Sequence, residues 1–201
     1  MNTGARQHGF TLIELLIAVS LFGLLLALAI PMYTNLISSS QVRNAAEGML
    51  NGVYAAQSAA VGSNNPAQLI VSPGNGTTAG TGWQIQFVNP DNSIPGQRPV
   101  PPAPYLLAES APQATVTPTP IGATELTFDA FGRIIPNLSV ATGLPDGTQT
   151  ISCIKVTNPS DAGARVLTVV VSNTFQATAS KLCDPAAAPT EPQACPAAAC
   201  Q

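Results

Sequence analysis

Leu15 to Val42 is a run of 28 residues without a formal charge, and its first part, Leu15 to Met32, is nearly all apolar. A single carboxylate, Glu14, stands directly in front of it. As an α-helix the 18 residues Leu15 to Met32 rise about 27 Å, close to the hydrocarbon thickness of a bilayer. The run can therefore span a membrane, and Arg6 and His8 ahead of it favour a cytoplasmic N-terminus with the rest exported. A cleavable secretory signal is the plainer alternative, with Ala27-Leu28-Ala29 as its cut. Against it, the apolar stretch exceeds the usual h-region, includes a carboxylate, and runs on into a helical pattern.

Glu14 needs an explanation of its own. A carboxylate costs about 2.5 to 3.5 kcal/mol at a bilayer centre on insertion scales, less near the interface, and intramembrane carboxylates have partners as a rule. The hexapeptide Gly9-Phe10-Thr11-Leu12-Ile13-Glu14 resembles the cleavage and methylation motif of type IV prepilins and type II secretion pseudopilins. The resemblance implies that a membrane aspartyl peptidase cuts after Gly9 and methylates the new Phe10 amine. It also implies that Glu14, fifth in the mature chain, is required for assembly. The Phe10 amine of a neighbouring subunit would be the partner of the Glu14 carboxylate, and such a pair in a low dielectric sets axial register.

Farther along, Gly23 weakens the helix and Pro31 removes one of its hydrogen bonds. A kink is the minimal expectation, and the pilin resemblance makes Gly23 and Pro31 candidates for helix flexibility within a filament. Beyond Pro31 the pattern turns amphipathic. Val42, Ala45, Ala46, Met49, Leu50, Val53 and Tyr54 recur at three- and four-residue steps, opposite Arg43, Glu47 and Asn51. That stripe is expected to pack on the chain's own sheet, with Gly48 and Gly52 permitting close approach of a strand.

After Gly62 short β-type runs separated by Gly, Pro and Asn take over. The candidates are Gln68 to Val71, Trp83 to Val88, Glu125 to Phe128, Arg133 to Ile135, Thr150 to Thr157, Arg165 to Ser172 and Ala177 to Cys183. Trp83, Ile85 and Phe87 alternate with Gln84 and Gln86, which buries one face of that strand and makes Trp83 core. Nine prolines between Asn89 and Pro120 predict one long extended loop. Leu126 to Ile134 reads as a hairpin with Gly132 near its turn, Asp129 capping it and Arg133 a surface charge.

Gly82-Trp83, the LTFDAFGRI run and the ending Cys183-Asp184-Pro185 with Ala194-Cys195 resemble the head and tail of FimT and FimU minor pilins and of pseudopilin H (GspH). The fold expected is α+β: a long N-terminal helix, membrane-spanning then amphipathic, on an antiparallel β-sheet head domain with a disulfide-stabilised tail. Its parts are a cleaved leader, 1–9; a transmembrane and filament-core helix, 10–32; an amphipathic helix, 33–62; a β-rich periplasmic head, 63–182, including the Pro-rich loop 89–120; and a Cys/Pro/Ala-rich tail, 183–201.

Cys153, Cys183, Cys195 and Cys200 are even in number and lie beyond the membrane segment, which points to disulfides in an oxidising compartment. Their spacing lacks the C-x2-C of zinc sites, so no metal is expected. Cys183 with Cys195 would close a tail loop and Cys153 with Cys200 would pin the end to a strand; Cys153 with Cys183 is the competing arrangement. The sole histidine, His8, lies in the leader, so the mature chain lacks an imidazole base, and neither enzyme activity nor a cofactor is expected.

Two functions remain open on the resemblance: a minor pilin in initiation or at the tip of a type IV pilus, and an H-type pseudopilin of a type II secretion system. The implied partners are other pilins or pseudopilins through the N-terminal helix, the prepilin peptidase, and the bacterial inner membrane before assembly. DNA capture in natural transformation is the least favoured. Some FimT-type pilins bind DNA through a basic G-R-x-R stretch before the tail cysteine. Here that stretch is Thr178-Ala179-Ser180-Lys181, and the other basic residues, Arg43, Arg98, Arg133, Lys155 and Arg165, are scattered in sequence.

Overall fold

The computed structural model describes residues 11–73, 81–88, 105–108, 114–161, 163–171, 180–196 and 200. Among them are one helix, α1 (Leu12–Ser63), and nine strands. These are β1 (Ala67–Pro73), β2 (Thr81–Phe87), β3 (Leu106–Ala108), β4 (Thr115–Thr119), β5 (Glu125–Phe128), β6 (Ile134–Ile135), β7 (Cys153–Thr157), β8 (Leu167–Val171) and β9 (Ser180–Cys183). The chain divides into two units, Met1–Ile37 and Ser38–Gln201. The second is the α+β head. It holds a five-stranded sheet ordered β3-β2-β1-β5-β6 and a four-stranded sheet ordered β4-β7-β8-β9, antiparallel throughout.

Both sheets turn their apolar faces to one core. Leu69, Val71, Trp83, Ile85, Phe87, Leu126 and Phe128 come from the first sheet, and Val116, Ile154, Val156, Leu167, Val169 and Val171 from the second. α1 adds Val42, Ala45, Ala46, Met49, Val53, Ala56 and Ala60, all fully buried. This is a helical stripe of mostly small side chains, which lets a backbone cylinder lie close to a sheet. The closest approach is at Gly52, where a Cβ would stand 2.8 Å from the indole carbons of Trp83. The expected role of Gly52 is thus realised, and Trp83 is a core residue at 6% exposure.

Tyr54 departs from the expected stripe. It lies one position around the helix, half exposed, and its hydroxyl donates to the Ser180 carbonyl at 2.8 Å. Its ring is amphipathic, so the edge of the interface suits it better than the core.

The single loop expected over 89–120 is corrected in its second half. Leu106–Ala108 pairs with β2 and Thr115–Thr119 pairs with β7. Prolines hid β4 because Pro118 cannot donate to a ladder. β4 is an edge strand in which Pro118 needs no second neighbour. Residues 89–104 and 109–113 lie outside the described residues.

The far face of the first sheet is polar and sealed by hydrogen bonds. Gln86 donates to Gln68 (3.0 Å), and Gln68 donates to the Glu125 carboxylate (2.7 Å). Thr127 donates to buried Asn137, whose amide reaches the Glu125 carbonyl, Thr148 and Gln149. Burial, and secondarily the charge of Asp146, raises the pKa of Glu125. A raised folded-state pKa means that the carboxylate carries a folding penalty, absent below the unfolded value and complete above the folded one.

Two outcomes follow for purified protein in detergent. Gly52→Val loses stability by about 1–3 kcal/mol through overpacking against Trp83, whereas Gly52→Ala loses less, because helix propensity returns up to about 1 kcal/mol. Glu125→Gln, which keeps an acceptor for Gln68, raises the melting temperature at pH 7, and the gain disappears below about pH 4. Thermal unfolding followed at Trp83 measures both.

Candidate functional site

The first unit presents the N-terminal part of α1. Thr11 caps it: the Thr11 hydroxyl accepts the Glu14 backbone N–H at 3.3 Å, and the Leu15 N–H bonds the Thr11 carbonyl at 3.2 Å. Thr11-Leu12-Ile13-Glu14 is the S/T-x-x-E spacing of a capping box, with Glu14 in the first turn, where a negative charge also complements the helix dipole. Glu14 therefore has a local structural role beside any intermolecular one. The signal for it in the sequence is the T-x-x-E pattern at Thr11 to Glu14.

Behind the cap, twelve large apolar side chains from Leu12 to Leu28 are each at least 48% exposed. Leaving them in water would cost roughly 10–20 kcal/mol, comparable with the whole stability of a domain. The helix is long and apolar enough to cross a membrane, and none of its most apolar window is buried by the chain. This separates it from the core helix of a soluble fold. Gly23 sits in open space within this surface. The helical run passes through Pro31, whose side chain lies outside the described residues. Gly9 and Phe10 lie outside them as well.

In the head, the β5–β6 hairpin turns at Asp129 to Arg133, with Gly132 at φ 75°. Asp129 accepts the N–H groups of Phe131 (2.9 Å) and Arg133 (2.8 Å) and pairs with the Arg133 guanidinium at 2.7 Å. Partial burial pushes its pKa up. The Arg133 N–H and guanidinium and the Phe131 N–H outweigh that and hold it below the usual carboxylate range. This is a turn cap, as the sequence suggested. The Gln57 side chain donates to the Gly132 carbonyl at 2.9 Å, tying the hairpin to α1.

The structure pairs Cys153 with Cys200 and Cys183 with Cys195, so the Cys153–Cys183 arrangement is not the one formed. Asp184 is buried and accepts Arg165 Nε at 2.6 Å and the Ala186 N–H at 2.8 Å. Burial alone would raise its pKa, and these two donors bring it below the ordinary range. Basic residues scattered in sequence meet here. Arg43 and Arg165 line one cleft of about 210 Å³ with Asp184 and Gln193. Lys155 and Lys181 share the outer face of the second sheet. Most are already engaged: Arg43 with Glu47, Arg165 with Asp184, and Lys181 with the Ala194 carbonyl. Among the described residues no group of three His, Cys, Asp or Glu is placed to hold a metal ion.

Comparison with known proteins divides the chain in the same way. The prokaryotic N-terminal methylation motif matches residues 4–30, and the model of the family described as Type II transport protein GspH matches residues 45–174. The type IV major fimbrial protein FimA of Dichelobacter nodosus is 61% identical over 36 residues, 18% of this chain and 23% of that protein. The chain thus spans less than a quarter of the length of that relative. The type IV narrow pilus major component PilA5 of Thermus thermophilus is 35% identical over 81 residues, 39% of this chain and 70% of that protein. No solved structure matches the chain. A methylation-type N-terminus on an uncovered apolar helix, followed by a head that matches along most of its length, makes this chain a type IV prepilin-like protein of the GspH family.

Proposed function

We propose that the chain is a minor type IV pilin that takes part in initiation or at the tip of a type IV pilus through its N-terminal helix. The observation that carries this reading is the capped apolar surface from Leu12 to Leu28, which the chain itself leaves uncovered. Lipid covers it before assembly and the helices of other pilins cover it afterwards. In this reading the prepilin peptidase removes residues 1–9 after Gly9 and methylates the Phe10 amine. A neighbour's amine then meets the Glu14 carboxylate. Gly23 and Pro31 let the helix adapt in the filament. The precursor crosses the bacterial inner membrane once, with its head in the periplasm. The two disulfides suit that oxidising side.

The second reading, an H-type pseudopilin of a type II secretion system, is favoured by the family description that covers residues 45–174. Both roles are structural, without catalysis or cofactor.

Mass spectrometry of sheared surface filaments and of inner membranes tests the proposal. A peptide beginning at N-methylated Phe10 in the filaments is the expected outcome. The same peptide confined to the membrane favours the pseudopilin, and an uncut leader overturns both. In the same assay Glu14→Ala and Glu14→Gln are both processed but absent from filaments. Gln can still serve a capping box, so filaments that contain Glu14→Gln would show that the charge is dispensable.

DNA capture is disfavoured because Lys181 is held by a tail carbonyl and Arg165 by Asp184. Any gel shift at low salt is expected to vanish at moderate salt; a shift that persists would reverse this.

A further inference from the structure

The tail is attached unlike the rest of the head. No residue after Val171 belongs to the buried apolar cluster among the described residues, and Leu182 of β9 only packs against its edge. From Asp184 to Pro196 only Asp184 and Ala194 are buried. What holds this segment is covalent and polar. The attachments are the two disulfides, the Arg165–Asp184 pair, the Asp184 N–H to the Gln193 carbonyl (2.7 Å), Arg165 to the Gln193 side chain (3.1 Å), and Lys181 to the Ala194 carbonyl (3.4 Å). Under these attachments lies the outer face of the second sheet. Thr168 and both strand cysteines are buried there, and a cleft of about 430 Å³ is lined by Lys155, Thr168, Pro185, Ala186, Cys195 and Cys200.

We propose that the tail is a redox-releasable strap: reduction of Cys183–Cys195 and Cys153–Cys200 frees residues 184–196 and Cys200 from the second sheet while the two-sheet core stays folded. The sulfurs are not equally accessible. Cys153 and Cys183 are buried in their strands, whereas Cys195 and Cys200 are half-buried. A dithiol attacks as thiolate at Cys195 or Cys200, forming a mixed disulfide and expelling the strand cysteine as thiolate, which takes up a proton. The second thiol of the reagent then closes its own ring and releases the tail cysteine. Each protein disulfide takes two electrons and two protons from one dithiol, so two dithiols free the strap.

Release would change the surface in kind. Arg165 would lose the Asp184 carboxylate and Lys181 its carbonyl, and Lys155 and Lys181 would stand together on one uncovered face of the sheet. Closed, the same side has Lys181 held by the Ala194 carbonyl and carries the tail's exposed proline and alanine residues.

Hydrogen exchange read by mass spectrometry on the full-length protein in detergent, with and without dithiothreitol, tests the strap. Alkylation of all four cysteines verifies complete reduction. The expected result is exchange faster by on the order of a hundred-fold in residues 184–196, with β1, β2, β7 and β8 and Trp83 emission unchanged. Tail protection that survives complete reduction overturns the proposal, and so does loss of the Trp83 signal together with the tail. Cys195→Ser/Cys200→Ser reproduces the released state without reductant. Should that variant fail to fold, reduction of the folded wild type still decides between these outcomes.

Discussion

Everything in the head hangs on one contact: the small-residue stripe of α1 lying against two sheets at once. Val42, Ala45, Ala46, Met49, Val53, Ala56 and Ala60 give the helix an almost flat side, and Gly52 removes the last side chain where the Trp83 ring must pass. The core gains its bulk from the strands, in Trp83, Ile85, Phe87, Leu126, Phe128 and Ile154. Large side chains on the helix as well would push the sheets apart, and dispersion contacts fall steeply with a gap of even an ångström. Small helix residues and large strand residues are thus one arrangement, and the hairpin and β9 are then fastened to the helix by Gln57 and Tyr54.

The two sheets are closed on their outer sides by different means. The first is sealed by a polar network around Gln68, Glu125, Thr127 and Asn137 that leaves one carboxylate with a raised pKa. The second is sealed by a tail that buries little of its apolar surface, fastened by disulfides and one ion pair whose carboxylate is buried. With only 8% charged residues in the chain, such closures depend largely on neutral amides, hydroxyls and sulfur. A chain so poor in charge has little electrostatic reach toward nucleic acid.

The helix N-terminal to the head follows the opposite logic. Its large side chains are on the outside, as suits a segment whose solvent is lipid or other helices. The Thr11 hydroxyl caps its first turn by accepting the Glu14 backbone N–H, and the Glu14 charge stands where it complements the helix dipole.

Much of this could be read from residue order. The charge-free run, the amphipathic repeat after it, the Trp83 strand, the Asp129–Gly132 hairpin and the even cysteine count that signals disulfides are patterns of period or composition, and such patterns survive folding unchanged. β3 and β4 could not be read, because proline-rich segments signal extension equally in loops and in edge strands, and only a partner strand distinguishes them. Tyr54 sat within the helical period yet belongs at its border, a matter of how wide the covering sheets are. Sequence by itself determined an apolar helix that water cannot hold and a β-rich head behind it. Tertiary structure alone decided which cysteines meet, that Gly52 faces Trp83, and that Arg165 finds Asp184, since these depend on distances between segments far apart in the chain.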